Sequence, residues 1–240
     1  MNIISGVLDI STTDFTIDEL KVSIKKLNPS KAFGPDNIPA IIWKDDIFHD
    51  LLLKLCYFCL INKTCPSIWR SSQIIPVPKK GDLTLVTNYR GISLLPIAAK
   101  IYIKLILNRL LPKVEPLLRN NQNGFRAGRS TLTQILSIRR IIEEITNCNK
   151  EAVFIFVDFS KAFDSIDRTK MFEILGLYGI PEPTIQGIRV LYANTSSTIM
   201  TADGETEPIL ISWQEFFKVI LWLPFYSSWF WIMCYECHSI

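Results

Sequence analysis

Residues 1–30 contain neither a basic start nor an apolar run, which excludes a cleaved secretory leader there. Regular cysteine spacing is also missing. The six cysteines fall irregularly, which excludes the disulfide framework of a small secreted domain. They read as free thiols in a reducing compartment, so an intracellular protein of cytoplasm or nucleus is expected. Cys56 and Cys59 form one CxxC pair and Cys234 and Cys237 another, with most of the chain between them. The first pair lies in an apolar helical run, where cysteine packs as a small hydrophobe rather than as a zinc ligand. Acidic residues are scarce across one long stretch. Between Lys63 and Arg140 stand 14 basic residues and only two acidic ones, Asp82 and Glu115. An ordinary solvated surface mixes its signs, so this imbalance points to a phosphate-bearing partner.

What is present is enough apolar material for a real core: 48% of the 240 residues are hydrophobic, a length that suits one or two domains. The net charge of +3 hides a division. Residues 1–150 carry 21 basic side chains against 12 acidic, whereas residues 151–240 carry 5 against 11.

The most informative stretch is residues 153–166, VFIFVDFSKAFDSI. Its first five residues are β-branched or aromatic and read as a strand buried on both faces. Asp158 follows at the strand's C-terminal end. A carboxylate there must be solvated, paired or bound to a metal. Two readings stay open on the residues alone: a ligand of a metal-dependent phosphoryl-transfer site, or a cap for the next helix.

In chain order, Thr16 and Glu19 form a capping box, and Leu20, Ile24 and Leu27 give its helix one apolar stripe. Asn28-Pro29 ends it. Gly34-Pro35-Asp36 is a turn. Residues 51–61 read as a buried helix. Residues 69–80, WRSSQIIPVPKK, read as an edge strand, because Pro76 and Pro78 cannot donate to a ladder. A long helix is expected over residues 94–111, with Lys100, Lys104 and Arg109 among its apolar residues. Residues 122–131, QNGFRAGRST, form a loop with two glycines and two arginines, suited to grip phosphate, and Ser130 is placed to cap the helix of residues 131–147. Asp167 caps a helix from Arg168 to Tyr178, with Gly179 as the residue just past its end and Pro181 stopping it. A helix over residues 183–192 and a strand over 196–201 follow, with a hairpin turn at residues 202–205.

These segments resemble the reverse transcriptases of non-LTR (LINE-type, RTE-like) retrotransposons over residues 12–208. F-x-F-V-D-F-S-K-A-F-D-S-I, at residues 154–166, resembles that family's first catalytic motif. The resemblance implies that Asp158 binds two Mg²⁺ ions, that Phe163 lies under the incoming sugar and rejects a 2′-OH, and that Asp164 is structural. Lys31-Ala-Phe-Gly-Pro-Asp-Asn-Ile38 is similar to the family's N-terminal extension motif. Pro-Val-Pro-Lys-Lys-Gly-Asp followed by Asn-Tyr-Arg-Gly-Ile-Ser-Leu resembles the fingers hairpin. That match implies that Arg90 clamps the triphosphate and that Lys79 or Lys80 assists. A triphosphate wants forked donors and point charges, which is the chemistry these residue types supply. Gly91 replaces the usual proline. Q-x-G-F-R-x-G-R-S-T resembles the loop that packs fingers on palm and helps hold the template, with Arg126, Arg129 and Ser130 as the nucleic-acid contacts.

Past Pro208 the resemblance stops. The family's G-V-x-Q-G-D loop and its Y/F-x-D-D hairpin are both missing from this chain, and four of the six tryptophans crowd between Trp213 and Trp231. The genetic code suggests why. Reading each codon's last base with the next codon's first two forces alanine at Trp213–Gln214, leucine at Phe225–Tyr226 and aspartate at Trp231–Ile232. The other junctions permit a string resembling the missing loop and hairpin. One extra base near Pro208 is therefore expected to have moved residues 209–240 out of frame. The competing reading is a membrane anchor, since residues 216–235 carry one charge, Lys218. Pro224, Ser227 and Ser228 in mid-run argue against it.

The expected fold is α/β (α+β type): an N-terminal extension and fingers over residues 1–150, a partial palm over 151–208, and an apolar tail over 209–240. The implied function is a fragment of an RNA-directed DNA polymerase. Its partners would be an RNA template, a DNA primer and deoxynucleoside triphosphates, with no membrane. It is expected to be inactive because the later catalytic motifs are missing. A basic RNA-binding remnant and a tail-anchored membrane protein are the alternatives.

Overall fold

The structure is a computed structural model in which residues 6–158, 166–201 and 204–209 are described. Helix α1 spans Ile17–Lys25 and starts at the capping box: Thr16 accepts from the Glu19 backbone N–H at 3.2 Å and Glu19 accepts from the Thr16 N–H at 2.8 Å. Leu20 and Ile24 are buried on its apolar stripe. Helix α2 spans His49–Asn62. It is buried on one face only, through Leu52, Cys56, Cys59 and Leu60, while Leu51, Phe58 and Ile61 face solvent. This corrects the expectation of a fully buried helix: its uniformly apolar sequence does not say which face finds a partner. Burial pushes the Cys56 and Cys59 thiols up, Cys59 to about 12, so both are packing groups rather than reactive ones. Cys234 and Cys237 lie outside the described residues.

Strand β1 (Ser71–Pro78) pairs antiparallel with β2 (Tyr89–Leu94). After β2 the chain turns into α3 (Ile97–Val114), which begins beyond residue 94 because Pro96 biases Leu95 away from helical backbone. Ten residues of α3 are buried, and it is the central post of the core. Helix α4 spans Thr131–Asn147 and buries none of its residues. Helix α5 (Arg168–Leu177) is capped by Asp167, which accepts from the Lys170 N–H at 3.1 Å. Gly179 sits just past its end with φ +74, and the Ile180 N–H returns to the Leu175 carbonyl at 3.2 Å. Helix α6 (Glu182–Arg189) leads through a short 3₁₀ turn to β3 (Ser196–Thr201), followed by β4 (Gly204–Glu205). Ala202 and Asp203, the centre of the expected hairpin turn, lie outside the described residues.

The sheet order is β2-β1-β3-β4, with β1 and β3 parallel. The proline-bearing strand is thus internal, not an edge as expected. The β1–β3 ladder covers only Ser71 to Ile74, so Pro76 and Pro78 lie past its end. The Lys79 N–H donates to the Asn88 carbonyl at 2.7 Å, which fixes the phase of the β1–β2 ladder. In that phase both prolines turn their missing N–H away from β2. The core runs continuously from Ile10 to Tyr192 and joins α1, α2, α3, α5 and α6.

Residues 153–157 were expected to be a strand buried on both faces. They are instead without regular structure and open to solvent, with Val153 89% and Phe156 81% exposed. A strand holds only where ladder partners and a covering layer exist, and among the described residues nothing pairs with this segment. No helix among the described residues is long and apolar enough to cross a membrane. Residues 209–240, apart from Ile209 itself, lie outside them.

Candidate nucleotide and nucleic-acid interface

The β1–β2 hairpin carries the first group of candidate residues. Val77 stands opposite Arg90, so Arg90 shares a face with Ile75, Val77 and Lys79. Lys79 and Arg90 are diagonal neighbours there, roughly 7 Å apart at Cβ for such a pair. Both side chains are exposed, as is Lys80. The Lys79 ammonium donates to the Thr87 carbonyl at 3.2 Å across the loop. Three cations therefore surround the end of a hairpin whose one carboxylate, Asp82, is held low by hydrogen bonds from the Thr84 N–H and hydroxyl.

The hairpin's base is seated on the 31–38 loop. Gly34 packs so closely on the β2–α3 corner that a Cβ there would lie 2.3 Å from the Leu95 carbonyl carbon and the Pro96 nitrogen. No side chain fits that gap. The Asn37 N–H closes the turn on the Gly34 carbonyl at 3.0 Å, and Asp36 Oδ1 accepts from the Ile38 N–H at 3.3 Å. Burial raises the Asp36 carboxyl and lowers Lys100, and each charge partly offsets the other's desolvation.

The second group lies on the loop before α4, and here the side chains divide. Arg126 was expected to grip nucleic acid, yet its side chain is only 4% exposed. Its Nε and Nη2 reach Glu115 Oε1 at 2.9 and 2.7 Å, and its Nη1 donates to the Arg119 and Gln122 carbonyls at 2.7 and 3.2 Å. Nη2 also reaches the Glu115 carbonyl at 3.5 Å, so all five guanidinium N–H groups are engaged inside the protein. Arg126 therefore holds the loop together, a correction to its expected direct contact. Arg129 is exposed, with Nη1 on the Asn120 carbonyl at 3.2 Å. Ser130 takes the extended N-cap conformation, but its side chain makes no capping hydrogen bond and stays exposed. Phe125, next to Arg126, has φ +58, an uncommon conformation for a bulky residue.

Asp158 is exposed at the end of the unpaired 151–158 stretch. Among the described residues no three metal-binding side chains come together. A lone exposed carboxylate does not fit a two-ion Mg²⁺ centre, whose ions need several oxygen ligands in fixed geometry. Phe163 and Asp164 lie outside the described residues. The structure thus brings Lys79, Lys80 and Arg90 together on one hairpin and places Arg129 and Ser130 on another loop.

One organising residue was not foreseen. Arg109 engages Glu19 and the carbonyls of Ser11, Thr13 and Asp14, tying residues 11–19 to α3. Its only sequence signal was a cation within an apolar helix. The hydrogen-bonded hairpin loop was also missed, although Asp82 two residues before Thr84 is an Asx-turn spacing.

The family model described as reverse transcriptase (RNA-dependent DNA polymerase) matches residues 77–212, more than half of the chain. An uncharacterized 149 kDa protein of transposon TX1 from Xenopus laevis is 25% identical over 82% of this chain, which spans 15% of that protein. The RNA-directed DNA polymerase from mobile element jockey of Drosophila melanogaster is 34% identical over 63% of this chain and 17% of its own length. A Pol polyprotein from the type-1 retrotransposable element R2 of Popillia japonica is 26% identical over 63% of this chain and 21% of its own length. The chain therefore covers about a fifth or less of each of these relatives. The matched residues include the Lys79–Arg90 hairpin, the Arg126–Arg129 loop and Asp158, and on that match the chain belongs to the reverse transcriptase family, in the branch carried by non-LTR retrotransposons.

Proposed function

We propose that this chain is the nucleotide- and template-engaging part of a retrotransposon RNA-directed DNA polymerase and does not polymerise by itself. In this reading residues 1–150 form the N-terminal extension and fingers, residues 151–208 a partial palm, and residues 209–240 an out-of-frame tail. The end of the family match at residue 212 is in keeping with that break. The observation that carries the reading is the β1–β2 register, which sets Arg90 and Lys79 side by side on one exposed face. Arg90 offers a fork of donors and the lysines point charges, the combination a triphosphate recognises. Arg129 and Ser130 are the proposed contacts to the template backbone, and Phe163 the proposed contact to the nucleotide sugar. Template RNA, DNA primer and deoxynucleoside triphosphates are the proposed partners, within the cell.

The family generally uses divalent metal, with Mg²⁺ typical. Asp158 is the one candidate ligand in this chain's first catalytic motif. With no second carboxylate beside it among the described residues, the chain is expected to bind RNA without catalysis. Anisotropy of a fluorescent deoxynucleoside triphosphate, titrated with the full chain, tests the reading. Arg90→Ala should weaken binding about tenfold, as loss of a charge-assisted fork predicts. Equal binding by parent and variant would remove Arg90 from the site.

A further inference from the structure

Helix α2 carries an apolar face that the core does not use. Its inner side, with Leu52, Cys56, Cys59 and Leu60, is buried where the helix packs on α1 and α6. The opposite side is bare. Ile47, on the 3₁₀ turn Asp46–Phe48 that leads into α2, is 80% exposed, Leu51 63% and Phe58 53%. Steps of four and then seven residues separate them, so they form one stripe at helical spacing. A surface helix normally sets charges on that side. Asp50 and Lys54 are the only Asp, Glu, Lys or Arg in α2. A contiguous apolar stripe of this kind marks an interaction surface rather than a solvated face.

The two charges indicate what covers it. Lys54 Nζ lies 2.7 Å from Asp50 Oδ2 along one border of the stripe, and both side chains are exposed. Two copies of α2 laid antiparallel, about a two-fold axis near Leu51, bring Leu51 onto Leu51 and Ile47 onto Phe58. The same axis sets Asp50 of each copy against Lys54 of the other. The midpoint of each of these pairs falls within two residues of Leu51, so one register satisfies them all. A two-fold interface needs this self-complementarity, apolar on apolar and acid on base. Antiparallel helix dipoles also offset each other. We propose that the exposed stripe of α2 is an interface between two copies of this chain, paired antiparallel through Ile47, Leu51 and Phe58 and fixed in register by reciprocal Asp50–Lys54 contacts. It uses no residue assigned above to nucleotide or nucleic acid, so it stands or falls separately from the function proposed there.

The test uses the full chain joined to a soluble, monomeric carrier. Sedimentation equilibrium is the readout, and circular dichroism checks that each variant keeps its helices. The parent should form a dimer. Leu51→Glu with Phe58→Glu should raise its dissociation constant about a hundredfold, because carboxylates then enter the apolar seam. Leu132→Glu with Leu136→Glu, on the bare face of α4, should leave the dimer intact. Lys54→Glu alone and Asp50→Lys alone change exposed side chains only. Each should weaken the dimer about tenfold by setting like charges opposite one another. An equal mixture of those two variants should recover the parent's affinity, since only the mixed dimer sets acid against base. A monomeric parent would overturn the proposal. So would a dimer that the α4 substitutions disrupt and the α2 substitutions do not, which would move the interface to α4. A mixture that stays as weak as its components would overturn the antiparallel register, and the proposal with it.

Discussion

Arg109 Nε and Nη2 meet the two carboxylate oxygens of Glu19 at 2.6 and 2.7 Å, a bidentate pair between residues 90 positions apart. The guanidinium also lies 4.4 Å from the centre of the Phe15 ring. One side chain thereby joins the capping box of α1 to the central helix of the core.

Removing that side chain should be felt across the N-terminal segment. Arg109→Ala leaves Glu19 and three carbonyls without their donor, so a loss of about 2–3 kcal/mol is expected. Urea denaturation followed by far-UV circular dichroism would show it as a lowered midpoint. The same pair sets a pH dependence. The Arg109 hydrogen bonds hold the Glu19 carboxyl below its usual range. A depressed folded value contributes stability that is present above the unfolded carboxylate pKa and is lost as pH falls through the folded value. Glu19→Gln should therefore flatten the acid limb of the denaturation midpoint. A limb of unchanged steepness would assign it to other carboxylates.

Gly34→Ala should weaken the fold, because its methyl group would meet backbone rather than a flexible side chain. Overpacking of this kind costs about 1–3 kcal/mol. Limited proteolysis should then cut the β1–β2 hairpin faster than in the parent. A variant that melts and resists protease like the parent would show that the 31–38 loop does not seat the hairpin.

Arg126 and Arg129 should separate cleanly. Arg129→Ala should weaken RNA binding and reduce the salt slope by about one unit. Arg126→Ala should instead lower thermal stability, since it removes the donor of the Glu115 carboxylate and of three carbonyls. Filter binding across a salt series, with a melting curve for each variant, checks both. A stable Arg126→Ala protein with a flattened salt slope would return Arg126 to the nucleic-acid contacts.

The chain alone should incorporate no labelled deoxynucleotide on a primed RNA with Mg²⁺. One carboxylate cannot replace the hydration shell that the ion gives up reluctantly. Incorporation that Asp158→Ala abolishes would reverse the conclusion.

Solubility should be poor, and for two separable reasons. Residues 153–157 expose an apolar segment with no ladder partner among the described residues, and α4 turns Leu132, Ile135 and Leu136 to solvent. Deleting residues 209–240 should raise the soluble fraction only in part, because both surfaces persist. Adding Ile155→Ser and Phe156→Ser should raise it further. A soluble, cooperatively melting parent would count against this account and against an out-of-frame tail.

The sequence by itself determined what neighbours within a few positions decide. The Thr16–Glu19 capping box, the Asp167 cap, the Gly179 ending and the β1–β2 hairpin all follow from hydrogen bonds spanning a turn or a short loop. The grouping of Lys79, Lys80 and Arg90 follows in the same way, because they flank one turn. Only the tertiary structure decided which groups face inward. Arg126 and Arg129 read alike in a glycine-rich loop, yet Glu115 draws one inside and leaves the other exposed. The parallel pairing of Ser72 with Ser197 makes β1 an internal strand, and no local pattern foretells a partner 125 residues away. Residues 153–157 show the same limit in reverse. Their side chains favour a strand, but a strand exists only where another chain segment completes its ladder and covers its faces.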